Sequence, residues 1–433
     1  MLVGLGCGDD GAGGEASSPA GAEGASAASE EPEAVTGEGD EAPAEVSEER
    51  APAAPVAVAR GDAPALPDAP EAGCAFAAPT RLLPRPAWVD VAGADGAFWV
   101  AGTTAGDDGE EAVLVRVPLD GAAQVSARAS LEEAVPADRR RAAPALTIHD
   151  GRAILALVDA SHRVRVARFE PGPSAALAFA TAAEGASLRF SPALAPAGDG
   201  WVLAWTDERG TPMRVRAARL DASGARRGEP TDLTPAGGGA AAPAFARGAE
   251  PPVLVFVDPR QGMSVAHRVA VTDAGFSGPA VARPVGLVAE PPETAAVRLG
   301  ATDWLGYTAV GNVATTAVGL VRLEGTSDPV PLVAGTGYGV LHVDATRLGD
   351  GAVFAADAPT DSPPDAPREL HVRVVDADGT PLGEATVASG PDRAASRGRV
   401  AVASGAVATT FVSTDGTYVA LGRCASGEQS AEE

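Results

Sequence analysis

Pro192-Ala193-Leu194, then Trp201-Val-Leu-Ala-Trp-Thr-Asp207, then Val215-Arg-Ala-Ala-Arg219 is the stretch whose reading decides the fold. It holds a short apolar run after proline, a longer apolar run ending in Asp, and a third run in which Arg alternates with small apolar residues. Gly, Pro and Asp separate them, as in Pro196 to Gly200. Runs this short, bounded by such turn residues, read as strands and not as helices. The same grammar comes just before, as Pro144-Ala-Leu146, Ile154-Leu-Ala-Leu-Val-Asp159 and Val164-Arg-Val-Ala-Arg168. It comes again just after, as Pro243-Ala-Phe245, Val253-Leu-Val-Phe-Val-Asp258 and Val265-Ala-His-Arg268. The Asp positions and the Pro positions both advance by 48 and then 51 residues.

Extending that step forward reaches Thr308, Asp357 and Thr414 at the ends of further apolar runs, and stepping back reaches Thr103, which makes seven units. A second turn recurs as Asp120-Gly121, Asp221 to Gly224, Asp273 to Gly275, Glu324-Gly325 and Asp376 to Gly379. Asp/Gly pairs of this kind make hairpin turns. A unit of about 50 residues holding several short strands is the size of one propeller blade. The expected fold is therefore all-β, a seven-bladed β-propeller. The repeats resemble bacterial secreted propeller repeats of the Val-Leu-Ala-Trp-Thr-Asp type over residues 74–424, without WD40, kelch or Asp-box signatures. The recurring Asp reads as structural, because a carboxylate at a strand end can cap nearby turn amides.

The last unit supplies three strands of its own, around Val400-Ala-Val402, Val407 to Val412 and Tyr418 to Leu421. The segment Cys74 to Leu83 has no other place and is expected to add the fourth. Cys74 and Cys424 would then lie side by side, and a disulfide between them would lock the ring at its seam.

Charge divides the 433-residue chain unevenly: it has 58 Asp and Glu against 33 basic residues, all Arg, for a net −25. Residues 1–72 carry 16 acidic residues against Arg50 and Arg60, a balance of −14, which leaves −11 for the other 361. That first part is Ala, Gly, Ser, Pro and Glu with no apolar periodicity, a composition that cannot bury enough surface to offset its ordering entropy. It reads as a disordered acidic linker. The chain opens Met1-Leu-Val-Gly-Leu-Gly6-Cys7, which resembles the end of a bacterial lipoprotein signal, a small residue followed by an acylated Cys. The resemblance implies lipidation at Cys7 and a mis-started or truncated signal peptide over residues 1–6. It also implies an exported protein in the cell envelope, on the outer membrane facing periplasm or exterior, held to the membrane by its acyl chains alone. The expected organisation is a signal remnant over 1–6, a tether over 7–72, the propeller over 73–425 and a disordered tail over 426–433.

The acidic balance argues against nucleic-acid binding, and no run approaches the roughly 18 apolar residues of a spanning helix. Without Lys there is no phosphate loop and no Schiff-base chemistry. The five His have no metal-type spacing, and there is no Gly-x-Ser-x-Gly elbow, so no catalytic residue is assigned. Two connections between second and third strands are acidic. One carries Asp107, Asp108, Glu110 and Glu111; the other carries Asp357, Asp361, Asp365 and Glu369. They are expected on one face as a rim that would hold Ca²⁺ or a basic partner, with no other cofactor. The sequence favours a monomeric binding or scaffold module for an unknown protein or glycan partner. The rival is an extracytoplasmic carbohydrate-active hydrolase or lyase, since a glycosidase needs only two carboxylates.

Overall fold

The computed structural model describes residues 65–105, 109–131, 135, 142–260, 263–286, 294–310, 316–334, 342–359, 367–390 and 393–425. The signal remnant 1–6, the tether up to residue 64 and the tail 426–433 lie outside them. The described chain makes seven antiparallel sheets, one after another in sequence, each of four or five strands. The innermost strands are Trp88–Ala94, Ala145–His149, Ala193–Ala197, Ala241–Phe245, Thr294–Leu299, Val343–Leu348 and Ser396–Ala403, here heading blades 1 to 7. Each packs against the innermost strand of the next blade, and Ser396–Ala403 packs against Trp88–Ala94, so the ring closes. This is the seven-bladed β-propeller expected from the repeats.

The repeat grammar maps onto the blade directly. In blade 3 the run after Pro192 is the inner strand, and Gly200–Asp207 is the second strand, buried along its whole length. Arg214–Leu220 pairs with it from Trp201↔Leu220 to Asp207↔Arg214. The second strand is apolar throughout because both of its faces lie against neighbouring blades. The third alternates because one set of its side chains reaches solvent. Where strands meet most closely, Gly is required: a Cβ on Gly200 would stand 2.2 Å from the Leu220 carbonyl oxygen, and on Gly351 2.1 Å from that of Val375.

Blade 7 is completed from the other end of the described chain. Its own strands are Ser396–Ala403, Ala406–Ser413 and Gly416–Cys424. Two short pieces, Cys74–Phe76 and Thr80–Leu83, pair antiparallel with Gly416–Cys424, through Cys74↔Cys424 and Thr80↔Val419. The Cys74–Cys424 disulfide forms across this seam with the Cα atoms 4.0 Å apart. The unit expected to end at Thr414 ends one residue sooner. Ser413 pairs with Gly416, and Thr414 sits exposed in the tight turn between them.

Ala, Val and Leu fill the blade interfaces, yet each of the seven also receives aromatic side chains. Phe98 lies between blades 7 and 1, Trp99 and Phe169 between 1 and 2, and Trp201 and Trp205 between 2 and 3. Phe245 and Phe256 lie between 3 and 4, Tyr307 between 4 and 5, Trp304 and Phe354 between 5 and 6, and Phe411 and Tyr418 between 6 and 7. A chain that is 4% aromatic still builds this fold because its aromatics are concentrated in the interfaces.

Replacing both Cys74 and Cys424 by Ala should lower the melting temperature. A bridge spanning 350 residues contributes up to about 5 kcal/mol on the chain-entropy account. An unchanged melting curve would mean that the strand ladder alone holds the seam.

Candidate functional site

The recurring Asp does cap turn amides, and it does more. Asp159 Oδ1 accepts from the N–H groups of Ser161 at 3.1 Å and Arg163 at 2.9 Å. Asp207 Oδ1 accepts from Arg209 N–H at 3.0 Å. Each carboxylate also meets cations from the following loop or third strand: Arg163 and Arg165 at Asp159, Arg209 and Arg216 at Asp207. Asp258 faces His267 across 3.9 Å, with His267 stacked on Phe256. The alternating Arg of the third strand is thus half of a repeated ion pair that the capping argument did not anticipate.

Call the face carrying these second-to-third-strand connections the upper face. Asp357, read from the sequence as part of an exposed acidic rim, is buried there. It accepts from the His342 N–H at 2.9 Å, lies 3.3 Å from His342 Nδ1 and takes Arg368 at 3.2 Å. Burial pushes its carboxyl up, but His342 and Arg368 outweigh that and hold it below the ordinary value. Glu110 is also buried, Glu111 pairs with Arg128 at 2.7 Å, and Glu369 lies 3.5 Å from His371. Of the described members of the rim, Asp357 and Glu110 are buried, while Glu111 and Glu369 are half-buried and paired with neighbouring side chains. Asp107, Asp108, Asp361 and Asp365 lie outside the described residues, as does Cys7. Among the described residues, no three His, Cys, Asp or Glu side chains stand close enough together to hold a metal ion.

The residues that do converge lie on the axis. The inner strands enclose a cavity of about 100 Å³ walled mainly by Ala, Pro and Leu, into which four charged residues enter: Asp90, Arg247, Asp344 and Arg399. Asp344, Arg399 and Asp90 come from the consecutive blades 6, 7 and 1, while Arg247 follows the inner strand of blade 4 across the ring. Asp90 accepts from its neighbour Val91 at 2.9 Å and, across the blade boundary, from Leu146 N–H at 2.7 Å. Asp344 likewise accepts from Val400 N–H at 2.9 Å. Each carboxylate therefore ties one blade to the next.

Burial pushes the Asp90 carboxyl up. The Arg247 guanidinium pulls it back, Asp344 adds to the rise, and Arg399 and the Leu146 N–H oppose it; the net position is above the ordinary carboxylate value. Two acids in one site, one shifted toward its neutral form, can divide proton donor and acceptor work between them. Sequence reasoning missed this set. Its only signal was an acid interrupting an apolar inner strand, as in Val89-Asp90-Val91 and Val343-Asp344-Ala345.

No protein-family model and no curated protein matches the chain. Solved structures with similar chain traces include polysaccharide lyase Uly1, with a TM-score of 0.48 and 10% identity over 77% of this chain and 89% of that one. AofleA from Arthrobotrys oligospora gives 0.44 and 9% over 72% and 88%. The sialidase of Trypanosoma rangeli gives 0.41 and 11% over 79% and 54%. No residue role is carried over from them; the fold stands on this chain's own strand pairing.

Asp357→Asn should destabilise the protein by about 3 kcal/mol at neutral pH, the scale for breaking a buried pair. Because the native carboxyl lies below its unfolded value of about 3.9, its contribution is present above that pH. It fades as pH falls through the native value. The difference in melting temperature between wild type and variant should shrink toward zero in acid; a pH-independent gap would contradict the ion-pair account.

Proposed function

We propose that this protein is an extracytoplasmic carbohydrate-active hydrolase or lyase that works at the upper mouth of its central channel. The observation supporting this reading is the convergence of Asp90 and Asp344 with Arg247 and Arg399 on the channel axis. A carboxyl shifted toward its neutral form, as Asp90 is, can give a proton to the departing glycosidic oxygen. The second carboxyl of the cavity, Asp344, would take one from attacking water or from a sugar ring carbon. The guanidiniums would steady charge that develops between them. The cavity of about 100 Å³ is small beside the roughly 300–1,000 Å³ of ordinary ligand pockets. A glycan would therefore lie across the mouth and offer one sugar edge to the carboxylates.

The second reading is a glycan- or protein-binding module without turnover. The cavity size favours it, as does the pairing of each carboxylate with a backbone N–H of the next blade. Assay against a panel of neutral and acidic polysaccharides separates the two, reading reducing ends for hydrolysis and ultraviolet absorbance of the unsaturated product for elimination. On the catalytic reading, Asp90→Asn and Asp344→Asn each lower kcat by about 10²–10⁴-fold while glycan binding persists. Binding to the panel with no product from the wild type would select the second reading.

Export is part of the proposal and draws support from the seam disulfide, a bond that persists in oxidising compartments. Anchoring through acylated Cys7, with residues up to 72 as spacer, completes it. The mass of the N-terminal peptide of the native protein should carry acyl chains on Cys7, and an unmodified thiol there would remove the anchor.

A further inference from the structure

A second cavity opens on the face opposite the channel's upper mouth. Strands alternate in direction within each blade, so the connections from first to second strand emerge on that lower face. The first-to-second turns of blades 3 and 4 and the end of the blade 2 inner strand at His149 border a groove there of about 580 Å³. Third-strand ends of blades 3 and 4 close its sides. The volume falls within the roughly 300–1,000 Å³ of ordinary ligand pockets, which the channel cavity does not reach. The two cavities share no lining residue.

The walls of the groove are unusual in chemistry. Pro196, Pro251 and Pro252 line it, and their rings are rigid and carry no N–H donor. Arg219, half-buried, reaches across from blade 3 and donates to the Thr272 carbonyl oxygen of blade 4. Its Nε has no hydrogen-bond partner among the described residues. Glu250 and Asp273 stand exposed on the rim. Arg219 offers donors only, and the two carboxylates offer acceptors only.

This pattern selects among ligands. An anion on Arg219 would stand beside two carboxylates, and a cation on the carboxylates would leave Arg219 with nothing to donate to. A hydroxyl group both donates and accepts. Neighbouring hydroxyls on one ring can therefore take a guanidinium on one side and carboxylates on the other, while the C–H face of that ring lies on proline. We propose that this lower-face groove is a second carbohydrate site, which holds a neutral sugar unit of a glycan. It does not depend on catalysis at the channel, so either reading can fail alone.

Calorimetric titration of the full chain reads the site. The probes are neutral hexamers of glucose, mannose, xylose and galactose, with a galacturonate hexamer and hexalysine as charged controls. The wild type should bind at least one neutral hexamer more tightly than either control. Glu250 is exposed, so Glu250→Ala should keep the melting temperature of the wild type. Both Glu250→Ala and Arg219→Met should weaken one neutral-hexamer binding event by about tenfold or more, the scale for removing a charged hydrogen-bonding partner. Absence of neutral binding, equal or tighter binding of a charged control, or a Glu250→Ala protein that binds with the affinity and stoichiometry of the wild type would overturn the proposal. Binding that both variants weaken, with no turnover of any glycan, would leave the groove standing and remove the catalytic reading. Turnover of a glycan whose binding neither variant touches would do the reverse.

Discussion

Everything in this fold depends on pairing the last blade with a strand from the other end of the sequence. An open array of seven sheets would leave one blade interface unmade and one sheet edge bare, and both costs vanish when the ring closes. Cys74–Phe76 and Thr80–Leu83 satisfy the backbone of Gly416–Cys424, and the disulfide makes that pairing covalent. Closure also creates the axis. Only when Ser396–Ala403 lies against Trp88–Ala94 do Arg399 and Asp90 share one cavity, so the candidate site and the seam have a common origin.

Once the ring is closed, each blade interface needs few large side chains. Strands rich in Ala and Val pack at close range, Gly is placed where two backbones nearly touch, and one or two aromatics fill the remaining space at each interface. The upper-face Asp then holds the turn between second and third strands and a cation beyond it. That double use explains why the position recurs. A buried carboxylate with only amide partners would be costly, and a guanidinium from the following loop or third strand supplies the missing charge.

The fold was legible because its signal is periodic. Recurrence of Pro, a buried run and Asp at 48 and 51 residues fixes blade size and number, and a last unit one strand short points to Cys74. The site was illegible for the same reason. Asp90 and Asp344 share one inner-strand position in only two of the seven units, Arg247 and Arg399 do not share it, and the four lie far apart in sequence and meet only through closure. Charge density in a loop says nothing about the direction of any one side chain: Asp357, read with the acidic rim, turns inward onto His342 and Arg368. Arg397, which sits in a bulge of the blade 7 inner strand with φ +61°, left no trace beyond one glycine beside it, Gly398, where a Cβ would stand 2.1 Å from Leu370.

The two axial acids each hold a backbone N–H of the next blade, but a charge is not required for this at every blade boundary. Blades 2 and 3 line the cavity with Ala, Leu and Pro and pack as well as their neighbours. Apolar replacements for buried ion pairs are often neutral or stabilising. Blades 6, 7 and 1 nevertheless place acid, base and acid in succession on the axis, and blade 7 adds a strained Arg397 above them. Local rules are broken in the same three blades, on the same side of the ring, and Arg397 also reaches Asp357 of blade 6 and Trp88 of blade 1. Scattered departures would be noise in a degenerate repeat. Departures that converge on one mouth are what the glycan site proposed there would maintain.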